Sequence, residues 1–152
     1  MLKKVTDWLY LAPPLTRAEL LIDLRDMGIT HVINASEIEN DQLLSDHGFR
    51  FLRSRFVDSG RAQEWMVWTK LADFIREARR IGDAKIAIHC VGGPRRSVSV
   101  AYLALRLEGV TESGARQFLA LRLPGEEPVY AEFVEQWLRL FGEGRIMPKG
   151  SE

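Results

Sequence analysis

Apolar and polar positions alternate between two rhythms along this chain, one suited to strands and one to helices. Trp8-Leu9-Tyr10-Leu11 is a short apolar run halted by Pro13-Pro14, and it reads as a strand. Thr16 with Glu19 three residues on predicts a capping box opening a helix; Leu20, Leu21, Leu24 and Met27 supply its apolar face and Gly28 its stop. His31-Val32-Ile33-Asn34 reads as a second strand, and a short polar helix is expected over Asp41 to Asp46, ending before Gly48. From Phe49 to Val57, Phe49, Phe51 and Phe56 are interspersed with Arg50, Arg53 and Arg55, as in a half-buried strand, which Asp58-Ser59-Gly60 breaks. Gln63 to Ile81 carries Trp65, Trp68, Leu71, Ala72 and Ile75 at helical spacing.

Lys85-Ile86-Ala87-Ile88-His89 is nearly continuous in apolar character, the mark of a strand covered on both faces. A glycine-rich turn follows. A helix is predicted from about Arg96 to Glu108, another from Thr111 to the stop at Leu123-Pro124-Gly125, and a last one from Tyr130 to Phe141. Strands alternating with helices, then helices alone, predict an α/β fold: a central, mostly parallel sheet of four to five strands flanked by helices. One domain is expected over residues 1–141, with 142–152 a flexible tail.

Composition narrows the function. Hydrophobic residues make up 46% and charged residues 28%, the profile of an ordinary globular domain. Formal net charge is zero, so there is no bulk electrostatic footprint for nucleic acid or an anionic membrane, and neither partner is expected. No apolar run is long enough to span a bilayer, and Met1-Leu2-Lys3-Lys4 lacks the apolar stretch of a signal peptide behind it. The single cysteine rules out an internal disulfide and leaves a zinc site without its usual thiolates, so no metal or other cofactor is expected. A reducing, cytoplasmic setting and a monomer are the expectation.

That cysteine, Cys90, lies in the run His89-Cys90-Val91-Gly92-Gly93-Pro94-Arg95-Arg96-Ser97. Cys and Arg at this spacing mean little alone: Arg fills 16 of 152 positions, so chance supplies the match about one time in ten. The context adds the weight. Gly93 stands three residues after Cys90, Ser97 follows Arg96, and the loop joins an apolar strand to a helix, so its backbone N–H groups converge at a helix N-terminus. A free thiol, with a pKa of roughly 8.5, is mostly protonated at neutral pH, and such a setting favours the thiolate. Glycines let the backbone approach a phosphate, and Arg96 offers a planar fork for two of its oxygens. Loop amides and arginine together stabilise charge on the equatorial oxygens of a transferring phosphoryl group.

These residues match H-C-x-x-G-x-x-R-S, and the chain resembles the protein tyrosine phosphatase superfamily, in particular its small dual-specificity members. The likeness extends from the Trp8–Leu11 strand through Gly28-Ile29-Thr30-His31-Val32-Ile33-Asn34 to the helices after the loop. Low-molecular-weight phosphatases carry the same cysteine pattern near the N-terminus, whereas Cys90 lies past mid-chain. The resemblance implies that Cys90 is the nucleophile and that Val91, Gly92, Gly93, Arg95 and Arg96 form the phosphate cradle. It implies a general acid on a loop after a strand well upstream, the position of Asp58, with Glu64 held in reserve. It has His89 hydrogen-bonding near Cys90 to support the thiolate. Ser97 is open to two roles, donating to the Cys90 sulfur or capping the helix. His31 and His47 are expected to be structural or exposed.

Pro94-Arg95 departs from the small residue many family loops place before the arginine, and proline removes one N–H from the cradle. The segment Pro124-Gly125-Glu126-Glu127-Pro128 is acidic where relatives often edge the pocket. The function implied is a phosphomonoester hydrolase acting on phosphotyrosine, and on phosphoserine and phosphothreonine, of proteins through a phosphocysteine intermediate. The alternatives keep the chemistry on a phosphoinositide, an RNA 5′-phosphate or a phosphosugar, or reduce the chain to a phospho-binding module with little turnover. The partner is then a phosphorylated protein or a small phosphomonoester.

Overall fold

The computed structural model describes residues 2–54, 56, 64–91 and 95–142. Five strands form one sheet in the order β1 (Lys3–Thr6), β2 (Leu9–Ala12), β5 (Ile86–His89), β3 (His31–Asn34), β4 (Arg50–Arg53). β1 is an antiparallel edge strand and the other four run parallel. The mostly parallel sheet expected from the sequence is therefore present, with β5 at its centre. Ile88 stands between Leu11 and Ile33, and His89 between Ala12 and Asn34. Because β2 to β5 are parallel, their carboxyl ends lie along one edge, where open α/β sheets hold their sites.

Side-chain alternation along β5 divides the helices into two layers. Ile86 and Ile88 face the larger core, filled by Trp68, Leu71 and Ile75 of α3 (Trp65–Arg79), by α4 (Arg95–Leu107), and by Val134 and Trp137 of α6 (Ala131–Trp137). Ala87 faces the opposite layer, where Leu21 and Leu24 of α1 (Ala18–Asp26) meet Leu44 of α2 (Asp41–Asp46). α4 is enclosed along nearly its whole length, its residues from Arg96 to Leu105 being buried or nearly so. Each large apolar side chain taken from water there contributes about 1.5–3 kcal/mol. α5 (Glu112–Arg122) packs on α4, and the Thr111 side chain caps it by accepting from Gly114 N at 3.1 Å. No helix among the described residues is long and apolar enough to cross a membrane.

Several expectations need correction. The capping box at Thr16 does not form: Thr16 N donates to Pro14 O in a tight turn, and α1 starts at Ala18 with Arg17 as an N-cap that makes no side-chain bond. β1 was not expected, because only Val5 of Lys3-Lys4-Val5-Thr6 is buried; exposed lysines on an edge strand carry little apolar signal. β4 stops at Arg53, short of the predicted strand, whose residues 55 and 57 lie outside the described residues. The last helix ends as α-helix at Trp137 and continues as a π-helical turn, Leu138–Gly142. Gly142 is thus helical rather than the start of a tail, and residues 143–152 lie outside the described residues. The stops at Gly28 and Gly125 hold: both adopt a positive φ, near +87° and +83°, that other residues rarely take.

Candidate active site

The site gathers at the carboxyl edge of the sheet. Cys90 directly follows β5, and Arg95 and Arg96 open α4. Cys90 is buried and belongs to the larger core. His89 and Cys90 succeed each other at the strand end, and the rest of the local packing differs between them: His89 contacts the polar groups of the segment between β3 and α2. Val91 is about one-third exposed and Arg95 is exposed, so both stand at the rim. Gly92 and Gly93, the middle of the predicted cradle, lie outside the described residues, as does Pro94.

Arg96 is the most informative side chain. Only 4% of it is exposed. Nη1 donates to Phe56 O at 2.8 Å and pairs with Glu37 Oε1 at 3.5 Å, while Nη2 donates to Val91 O at 2.6 Å. Nε has no hydrogen-bond partner among the described residues. One edge of the guanidinium is therefore anchored, and the Nε–H remains for an acceptor. A buried guanidinium N–H left unpaired is costly, so this edge favours an incoming oxyanion. Ser97 is buried too, and its hydroxyl makes no bond among the described residues, neither to a sulfur nor as a cap.

Asp58 lies outside the described residues. Phe56, two positions earlier, is fully buried and meets Trp68 and Tyr130 edge-on at ring-centroid distances of 5.1 and 5.0 Å. Its carbonyl, held by Arg96, ties the segment after β4 to the nucleophile loop. The reserve acid Glu64 is exposed and precedes α3 as its N-cap.

His89 is fully buried, with Nε2 at 3.1 Å from Asn40 Nδ2. Burial pushes its pKa down to about 4, so the imidazole is neutral at physiological pH. His31 is buried beside Phe74 at the opposite end of β3, with Nδ1 2.7 Å from Thr30 Oγ1; His47 is partly exposed, its Nδ1 2.9 Å from Leu43 O. His31 pairs with Ile86, at the end of β5 away from Cys90, and His47 follows α2.

Sequence reasoning missed Glu37, Asn40, Asn34 and Ser99. Ser99 Oγ donates to Arg95 O at 2.9 Å and accepts from Tyr130 N at 3.0 Å, joining the first turn of α4 to the segment before α6. The available signal was the polar run Asn34-Ala35-Ser36-Glu37 directly after a buried parallel strand, because that edge is where functional groups collect.

Similarity to known proteins bears on the fold. No family model matches the chain. Dual specificity protein phosphatase 26 of Homo sapiens is 35% identical over 88 residues, covering 55% of this chain and 42% of the relative, and the Rattus norvegicus protein matches to the same extent. The match thus spans less than half the length of these curated relatives. Among solved structures, human DUSP28 superposes with a TM-score of 0.72 at 20% identity, covering 91% of this chain and 93% of that one. PTPMT1 in complex with PI(5)P superposes with a TM-score of 0.77 at 17% identity, covering 91% and 95%. These structures share the fold of this chain. The chain is similar to small dual-specificity members of the protein tyrosine phosphatase superfamily.

Proposed function

We propose that this chain is a cysteine-dependent phosphomonoester hydrolase acting on phosphotyrosine, and on phosphoserine and phosphothreonine, of proteins. The observation that carries the reading is the buried guanidinium of Arg96, anchored through Nη1 and Nη2 with Nε–H unpaired among the described residues, at the head of the helix that follows Cys90. This arrangement suits a phosphoryl group, which offers several acceptor oxygens to one planar fork.

In the proposed reaction the Cys90 thiolate attacks phosphorus, forming the S–P bond as the P–O bond to the leaving group breaks. Asp58 gives its proton to the departing oxygen. Asp58 then takes a proton from water as the water oxygen bonds to phosphorus and the S–P bond breaks. Arg96 holds the phosphoryl oxygens in both steps, and Val91, Gly92, Gly93 and Arg95 complete the cradle with their backbone groups. Ser97, buried with a hydroxyl uncommitted among the described residues, serves as a donor to the sulfur as it leaves. The Phe56–Arg96 bond supports Asp58 as the acid, because it ties the acid's segment to the arginine.

The chemistry calls for no cofactor or metal ion. The reading takes the protein as monomeric and cytoplasmic, with a phosphorylated protein or small phosphomonoester as its partner. The decisive experiment is hydrolysis of a mixed panel of phosphopeptides, phosphoinositides and nucleotides by wild type and Cys90→Ser in parallel. Turnover of the phosphopeptides by wild type alone is expected. A preference for a phosphoinositide would move the substrate assignment, and turnover by Cys90→Ser would overturn the mechanism.

A further inference from the structure

The segment between β3 and α2 makes a closed polar network in which each hydrogen has one possible direction. Ser36 N, a backbone donor, lies 3.0 Å from the Asn34 side chain, so the atom facing it must be Oδ1. Asn34 Nδ2 then donates to Ile38 O at 2.7 Å and to Asn40 Oδ1 at 3.0 Å, using both its hydrogens. With its oxygen so engaged, Asn40 turns Nδ2 to Leu15 O at 2.9 Å, an atom that can only accept. The second hydrogen of Asn40 Nδ2 points to His89 Nε2 at 3.1 Å. Nε2 must therefore be the lone-pair nitrogen. A neutral imidazole with its lone pair there carries its proton on Nδ1. All four residues concerned, Asn34, Ser36, Asn40 and His89, are buried.

We propose that Asn40 is a positioning residue for the nucleophile: by donating to Nε2 it holds His89 as the Nδ1–H tautomer beside Cys90. Nδ1 is bonded to Cγ, so it lies nearer the histidine's own backbone than Nε2 does. This tautomer turns the positive end of the imidazole dipole towards the strand end from which Cys90 departs, and the opposite tautomer would turn a lone pair there. The His89 backbone is fixed as well, since its carbonyl accepts from Ala35 N at 2.8 Å. The positive end favours negative charge on the adjoining loop, which is what a thiolate nucleophile needs. The proposal rests on the reading of Cys90 as nucleophile. It assigns a residue that touches neither sulfur nor substrate.

The test uses two readouts independent of turnover. Two-bond proton–nitrogen NMR correlations distinguish the tautomers, and the chain has only three histidines to assign. Alkylation by iodoacetamide reports Cys90 alone, because it is the single cysteine. Wild type is expected to show His89 as Nδ1–H. Asn40→Asp replaces the donor with an acceptor, so His89 must present Nε2–H to it. Alkylation and aryl phosphate turnover should then fall roughly tenfold, the scale seen when an orienting hydrogen bond behind a functional group is lost. Asn40→Ala, which adds no charge, should give a mixture of tautomers and an intermediate rate. A wild-type Nε2–H spectrum would overturn the proposal. So would an inverted tautomer in Asn40→Asp with alkylation within about twofold of wild type, or an unmixed Nδ1–H spectrum with wild-type rates in Asn40→Ala. If the tautomer and alkylation shift as expected while wild type hydrolyses no phosphomonoester, the positioning role stands and the phosphatase reading falls.

Discussion

Burying a neutral histidine beside Cys90 makes the protein's stability depend on pH in a calculable way. His89 is fully buried, and desolvation lowers its pKa from 6.5 to about 4. Between those values the unfolded chain binds a proton that the folded chain refuses. The sign follows: the contribution is complete above pH 6.5 and is lost as pH falls through the window down to about 4. A difference of that size corresponds to about 3 kcal/mol in full, of which about 2.5 kcal/mol is lost between about pH 7.5 and about pH 4.5. With a urea slope of about 2 kcal/mol per molar for a chain of this length, the unfolding midpoint should drop by more than about 1 M.

Other groups titrate too, so the comparison must be with a variant. His89→Gln can still accept from Asn40 and does not ionise. His31, whose pKa burial also lowers, is common to both proteins and cancels. Burial alone would raise the Glu135 carboxyl, but hydrogen bonds from Arg106 and Tyr102 hold it below its ordinary 4.5. Its stabilisation is therefore lost only below that value, at the acid end of the window. Urea unfolding followed by tryptophan fluorescence in both proteins, across the same pH series, isolates the His89 contribution as the change in their difference. Stability curves that stay parallel to within about 0.5 kcal/mol from about pH 7.5 to about pH 4.5 would refute the reasoning.

Cys90→Ser should abolish turnover while retaining inorganic phosphate binding by isothermal calorimetry; substantial remaining activity would remove Cys90 as nucleophile. Asp58→Ala should slow aryl phosphates with poor leaving groups far more than those with good ones, and an equal loss across the series would count against its role as acid. EDTA should leave activity intact, and a loss restored by a divalent ion would reject the proposed chemistry. Glu135→Gln, which strips a buried carboxylate from Arg106 (2.7 and 3.0 Å) and from the Tyr102 hydroxyl, should cost about 3 kcal/mol in thermal or urea unfolding. A cost below about 0.5 kcal/mol would show that the pair contributes little.

The elements were legible where burial imposed a rhythm. β5 shows a continuous apolar run because both its faces are covered, and α3 a helical stripe because one face packs on the sheet. β1 was illegible for the converse reason, since an edge strand with two exposed lysines buries too little to leave a pattern. The π-helical turn at Leu138–Gly142 was hidden because its residues still read as helical; a change of hydrogen-bond step has no counterpart in apolar spacing. The proposed roles of Cys90 and Arg96 were readable from the setting of their loop, with its glycines, between an apolar strand and a helix. Their supports were not. Glu37 and Asn40 lie far from Cys90 in sequence, and only the parallel sheet, which sets β3 beside β5, brings the segment after β3 to the loop.

That juxtaposition gives the site an internal logic. Of the seven buried side-chain polar atoms without a partner among the described residues, three, His89 Nδ1, Arg96 Nε and Ser97 Oγ, fall between the end of β5 and the start of α4. Folding ordinarily leaves few such atoms, because each costs about 1–3 kcal/mol. Poor packing does not explain the cluster, since β5, α4 and the flanking helices are among the most completely buried parts of the chain. In the network just behind it, Asn34 and Asn40 place every amide hydrogen and have no donor to spare. Two of the three atoms at the turn are donors by chemistry or by the tautomer that Asn40 imposes, and the third is a hydroxyl free to donate. Donors uncommitted among the described residues in a well-packed place suit negative charge that is not part of the fold, and on the proposed reading that charge is the thiolate of Cys90 and the phosphoryl group it accepts.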